Sequence, residues 1–138
     1  MKPVASAHVI SSGDAYRHDI RTGRHQLVAD EPEHYGGKDA GPAPYDYILA
    51  GLGACTAITL RMYAEKKGWD IGQLDVDLAL HKNAEGEALI RRVVHSSATL
   101  SEEQWERLLA VAEKTPVTLT LKAGARITTQ RQHPEGVF

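Results

Sequence analysis

Apolar and polar residues alternate near the start of the chain, then give way at Tyr45 to a helical repeat. Tyr16, His18 and Ile20 alternate between the turn signals Ser12-Gly13-Asp14 and Arg21-Thr22-Gly23. This predicts short antiparallel strands over about 5–11, 15–21 and 24–30. Residues 31–44, with three prolines and three glycines, predict a loop that delivers the chain to a long helix. Over 45–67, Ile48, Leu52, Cys55, Thr59 and Met62 fall at spacings of four, three, four and three, one helical face. Leu49, Ala54, Ile58 and Leu60 occupy other faces, so the helix is expected to be buried on more than one side. Gly51 and Gly53, each costing about 1 kcal/mol relative to alanine inside a helix, predict a close neighbouring backbone. Gly68 supplies the stop.

Leu74, Val76, Leu78 and Leu80 then alternate with Asp75, Asp77 and Ala79, the period of a half-buried strand. The polar turn Lys82–Glu87 leads to a hairpin partner over 88–98, so the hairpin spans about 74–98. Ser101 with Gln104 has the form of a capping box, and Trp105, Leu108, Leu109 and Ala112 follow at helical spacing, predicting a second helix over about 101–114. Thr115-Pro116 has the form of a helix cap and first position, a final strand is expected over 124–131, and the tail after Gln132 is expected to be loose. These elements predict one α+β domain over 1–138, an antiparallel sheet with a long buried central helix. An all-round apolar helix is hard to cover in so small a chain, which favours a homodimer.

Composition narrows the function. Sixteen basic against eighteen acidic residues leave a formal charge of -2, which gives no electrostatic footprint for nucleic acid or an anionic membrane. The apolar run Ile48–Leu60 is short for a bilayer, and no signal peptide is evident at the start. A single cysteine cannot form an internal disulfide and points to the reducing cytoplasm. The seven histidines, His8, His18, His25, His34, His81, His95 and His133, show no metal-ligand pairing. Asp75 and Asp77 fit a solvated strand face. The GGKDAGP segment lacks the spacing of a phosphate loop, and no Gly-x-Ser-x-Gly is present. No cofactor or metal is called for.

Cys55 is the strongest nucleophile in the chain, and two roles compete for it. Free cysteines are often small buried hydrophobes. As a reagent Cys55 needs help to ionise, and the helix N-terminus is about 15 Å away along the axis, so an arginine is the suitable activator.

The stretches GPAPYDYILAGLGACTAITLRMYAEKKGW, LDVDLALH and LSEEQWERLLAVAEKTPVTLTL, in this order, resemble the OsmC/Ohr superfamily over about residues 24–130. The resemblance implies an OsmC-like fold and an intertwined homodimer with active sites at the subunit interface. It also implies reduction of organic hydroperoxides by a cysteine on the central helix, in oxidative stress defence. Cys55 matches that nucleophile. Where the family usually carries its second cysteine, before Pro-Val, this chain has Thr115, so the two-cysteine disulfide cycle is excluded and an external thiol reductant is needed. Asp46 stands where many relatives carry a glutamate; nine residues from Cys55, it faces away on a regular helix and can instead favour the helix N-terminus. The activating arginine is sought among Arg17, Arg21 and Arg24, with Arg24 preferred, or at Arg91 and Arg92. Two functions follow: a one-cysteine peroxidase-like enzyme, or a diverged non-catalytic protein of this fold that binds a small apolar ligand or a partner.

Overall fold

Three short strands open the structure, a computed structural model that describes residues 1–132; the tail beyond Gln132, with His133, lies outside the described residues. Strands β1 (His8–Ser11), β2 (His18–Thr22) and β3 (His25–Ala29) form an antiparallel sheet in that order. The register pairs His8 with Arg21 and Arg21 with Gln26, while Val9, Ile20 and Leu27 pair in the next row. Successive rows alternate between faces, so one face carries His8, Arg21 and Gln26 with Ile10, Asp19 and Val28, and the other Val9, Ile20 and Leu27 with Ser11, His18 and Ala29.

Helix α1 (Pro44–Lys67) follows, then the hairpin strands β4 (Leu74–Lys82) and β5 (Ala88–Ser96), then helices α2 (Glu102–Ala112) and α3 (Pro116–Ala123). Contacts gather the residues into two compact units, Met1–Ala54 with Asp77–Val93 and Cys55–Val76 with Val94 onward, and α1, β4 and β5 each run through both. Local chemistry sets the element ends. Gly68, at φ +71°, donates to Glu65 O while Trp69 N donates to Ala64 O, the two bonds of a Schellman stop. Asn83 holds the hairpin turn, accepting from Glu87 N at 2.9 Å and donating to Glu87 Oε1 at 2.8 Å. Ser101 and Gln104 form the expected capping box at α2.

In the second unit Leu60, Ala64, Ile71, Leu108 and Ala112 make a buried cluster, with Tyr63, Trp69 and Trp105 packed against it. The return from α1 is tied down by Ser96 Oγ donating to Ile71 O at 2.5 Å and by the Arg61 guanidinium donating to Gly72 O at 2.5 Å. Gly72, at φ +60°, leaves no room for a Cβ beside Ser97 Oγ.

Four expectations are corrected. The buried row of α1 is Leu52, Thr56, Leu60 and Ala64, a strict four-residue repeat, whereas Ile48, Ile58 and Met62 are exposed and Cys55 and Thr59 are half-buried. Within one chain the helix is therefore buried along one side, because its apolar residues outnumber those available to cover them. Gly51 has no neighbour within 4 Å, and a Cβ on Gly53 would meet the Leu78 side chain at 2.7 Å, so the close approach is by a side chain and not a backbone. The strand expected over 124–131 is absent: residues 116–123 form α3, which Gly124 ends at φ +77°, and the residues after it find no ladder partner among the described strands. Finally, α1 as a whole is long and apolar enough to cross a membrane by length and composition, although Ile48–Leu60 alone is short; Leu52, Thr56, Leu60 and Ala64 along it are buried within the protein.

Candidate thiol site

The chain reaches α1 through a loop organised by one carboxylate. Asp30, only 2% exposed, follows β3 and accepts from the backbone N–H groups of Glu31 at 2.7 Å, Lys38 at 3.2 Å and Ala40 at 3.1 Å. The Asp30 amide in turn donates to Pro42 O at 3.2 Å. Two glycines make the closure possible, since a Cβ on Gly37 would run into the Glu31 carbonyl and one on Gly41 into the Val28 carbonyl. The Tyr47 hydroxyl donates to Val28 O at 2.5 Å, fixing the first turn of α1 to the end of β3.

The Ala40 hydrogen bond lowers the Asp30 pKa below its ordinary 3.8; burial opposes this, while the Glu31 and Lys38 amides and the Arg17 charge assist. A carboxylate with a depressed folded pKa contributes stability above its unfolded value, and that contribution is lost as the pH falls through the folded pKa. Wild type should therefore lose stability steeply below pH 3.8, and Asp30→Asn should be less stable at neutral pH with a shallower acid dependence. Urea midpoints of the two proteins measured from pH 7 to pH 3 check this; parallel curves would refute it.

Asp46 is the third residue of α1, and its Oδ2 accepts the Ala43 N–H at 3.0 Å. That contact is one half of a capping box and places negative charge at the positive end of the helix. Because α1 is regular from Pro44, nine residues separate Asp46 from Cys55 by two and a half turns, about 13.5 Å along the axis and on opposite sides. A direct contact within the helix is thereby ruled out.

Among the arginines, Arg24 lies in the turn between β2 and β3, exposed and with no side-chain partner among the described residues. Arg17 approaches Asp19 at 3.5 Å, and its Nε is buried with no hydrogen-bond partner. Arg21 stands between His8 and Gln26 in the first sheet and is exposed, Arg91 is exposed, and Arg92 is half-buried on β5.

Cys55 is a free, half-buried thiol beside the buried row of α1, next to exposed Ala54. The row that packs inward runs through its neighbour, Thr56. Thr115 belongs to the same unit and is 1% exposed at the N-cap of α3. Its Oγ1 lies 2.6 Å from Thr118 Oγ1, and Thr118 also donates to Ala112 O at 3.4 Å. Two hydroxyls therefore stand together at the start of α3. Among the described residues no group of three His, Cys, Asp or Glu side chains could hold a metal ion.

The sequence reasoning passed over two of these residues. Asp30 could have been found as an aspartate at a strand end before a Gly/Pro loop, where its side chain competes for backbone amides. Thr118 could have been found as a second hydroxyl three residues after a helix cap.

Residues 36–130 match the family model described as OsmC-like protein. No curated protein shows a significant match. Similar solved structures include an OsmC-like protein from Mycoplasma pneumoniae, 20% identical with a TM-score of 0.70 over 88% of this chain and 89% of that one. An organic hydroperoxide resistance protein OsmC from Legionella pneumophila is 19% identical, with a TM-score of 0.64 over 87% and 90%. The organic hydroperoxide resistance protein OhrB of Bacillus subtilis is 21% identical, with a TM-score of 0.58 over 85% and 90%. At these identities the likeness establishes a shared fold.

Proposed function

The chain belongs to the OsmC-like protein family, and from that premise we propose that it reduces small organic hydroperoxides with Cys55 as its one working sulfur. The observation that carries this proposal is the half-buried position of the free Cys55 thiol on α1, beside the buried row and not in it. Relatives of the same fold are named as organic hydroperoxide resistance proteins, which supports the substrate class.

The Cys55 thiolate attacks one peroxide oxygen and the O–O bond breaks. The organic alkoxide leaves, takes a proton and becomes an alcohol, while the sulfur is oxidised to a sulfenic acid. A small thiol condenses with that sulfenic acid, releasing water and forming a mixed disulfide, and a second thiol releases Cys55 by exchange. The sum is one hydroperoxide and two thiols giving one alcohol, one water and one disulfide. An arginine is the suitable group to stabilise the thiolate, and the family resemblance favours Arg24 for that role. The cytoplasm supplies the thiols.

The proposal includes an intertwined homodimer. Ile48, Ile58 and Met62 on α1 and Leu119 and Leu121 on α3 are exposed in the single chain, and residues 124–131 lack a ladder partner. A second copy of the chain covers these groups. Sedimentation should give twice the mass of one chain, and Met62→Glu should shift the protein towards the monomer without unfolding it. A wild-type monomer would refute the assembly.

The catalytic proposal is tested with cumene hydroperoxide and excess 2-mercaptoethanol. Peroxide loss above the protein-free rate, with one disulfide formed per peroxide, is expected. Loss at the protein-free rate would overturn it and favour a non-catalytic family member that binds a small apolar molecule or a partner.

A further inference from the structure

An enzyme with one sulfur must admit its reducing thiol from outside, and the second unit contains a groove suited to that. On α1, Cys55, Thr59, Tyr63 and Lys67 follow at four-residue spacing and form one side of the helix. One turn beyond Cys55, Thr59 and Tyr63 line an open groove of about 380 Å³ whose other wall is α2 and its end, with Arg107, Ala110, Val111 and Lys114. The floor is apolar or hydroxylic, and the rim is cationic. Lys114 has no side-chain partner among the described residues, Arg107 meets only Glu103 at 3.6 Å with both exposed, and Lys67 lies 5.6 Å from the centre of the Tyr63 ring. Lys114 directly precedes Thr115, the position where the resemblance expects a second sulfur; Thr115 and Cys55 adjoin the lining residues in sequence and along α1 and are not themselves among them.

We infer that this groove admits the reducing thiol and selects small thiols carrying a carboxylate. The inference rests on the peroxidase proposal for its place in the cycle. A neutral hydroperoxide gains nothing from a cationic rim, whereas a carboxylated thiol gains twice. Its carboxylate pairs with Arg107 or Lys114, and the same positive field raises its thiolate fraction. The thiolate then attacks the sulfenic sulfur of Cys55: the S–S bond forms, the S–O bond breaks, and hydroxide leaves with a proton as water. Arg107 and Lys114 at the rim are exposed to solvent, so the selection is a matter of rate and is sensitive to salt.

The test compares the full-length wild type with the double variant Arg107→Gln/Lys114→Gln, both changes lying at exposed positions. Three thiols of similar size serve as reductants with cumene hydroperoxide: anionic 3-mercaptopropionate, neutral 2-mercaptoethanol and cationic cysteamine. The second-order rate constant for 3-mercaptopropionate should fall about fivefold in the variant, while those for 2-mercaptoethanol and for the peroxide change by less than about twofold. Intrinsic thiol reactivity cancels because the same thiols meet both proteins. Equal changes for all three thiols, or a change confined to the peroxide constant, overturn the inference. A second arm needs no turnover: the ratio of Cys55 alkylation rates by anionic iodoacetate and neutral iodoacetamide should also fall about fivefold in the variant. An unchanged ratio overturns the selection of anions whether or not peroxide is reduced. A responsive ratio in a wild type that consumes no peroxide supports the groove and overturns the peroxidase proposal alone.

Discussion

Cys55→Ser should lower hydroperoxide reduction by on the order of a hundredfold or more, to the rate of buffer and thiol alone. A serine hydroxyl does not ionise near neutral pH and has no oxidation ladder, so neither the attack on peroxide nor the storage of oxygen on the side chain survives. The two side chains are similar in size, and the thiol is half-buried outside the packed row, so the fold should be retained. Initial rates with cumene hydroperoxide, together with urea midpoints, separate the two effects. A variant that folds normally and still consumes peroxide at the wild-type rate would remove Cys55 from the chemistry.

Leu60→Ala should lower the free energy of unfolding by about 3–5 kcal/mol. Leu60 is fully buried in a cluster with Ala64, Ile71, Leu108 and Ala112, all held by short tertiary connections in one unit. Truncation removes the transfer energy of its methyl groups and leaves a cavity that helical backbone on two sides cannot collapse. Small domains have about 5–15 kcal/mol of stability in all, so the variant is expected to be partly unfolded at physiological temperature. Two residues earlier, Ile58 is 55% exposed, and Ile58→Ala should cost less than about 1 kcal/mol within the single chain. Urea unfolding at several protein concentrations discriminates these cases. A Leu60→Ala loss no greater than that of Ile58→Ala would contradict the buried row.

Periodicity made most elements legible. The alternation from Leu74 to Leu80, the Ser101–Gln104 cap and the Gly68 stop each depend on a few neighbouring residues, and each appears where the pattern put it. Features that depend on distant chain were not legible. Apolar spacing along α1 could not tell Leu60, which packs in a cluster with Leu108, from Met62, which is 59% exposed. The strand-like residues Ile127, Thr128 and Thr129 have high β-propensity, but a strand exists only where a ladder partner does. Asp30 was missed because its role is defined by amides up to ten residues ahead, brought back by the loop it organises. At the site, the reading of Cys55 and Thr115 rests on the family motif, while Asp46 accepts the Ala43 amide at the start of α1.

The hydroxyl pair of Thr115 and Thr118 has a consequence for how long oxidised protein survives. An internal second sulfur would trap a sulfenic acid at a rate independent of the surroundings. With hydroxyls there instead, the proposed cycle would leave the lifetime of oxidised Cys55 to the concentration of thiol outside. When that pool is full the cycle closes; when it is depleted, a further peroxide drives the same sulfur to the irreversible sulfinic acid. As proposed, the protein would behave as a fuse, whose fraction of permanently oxidised chains records each past excess of peroxide over reductant.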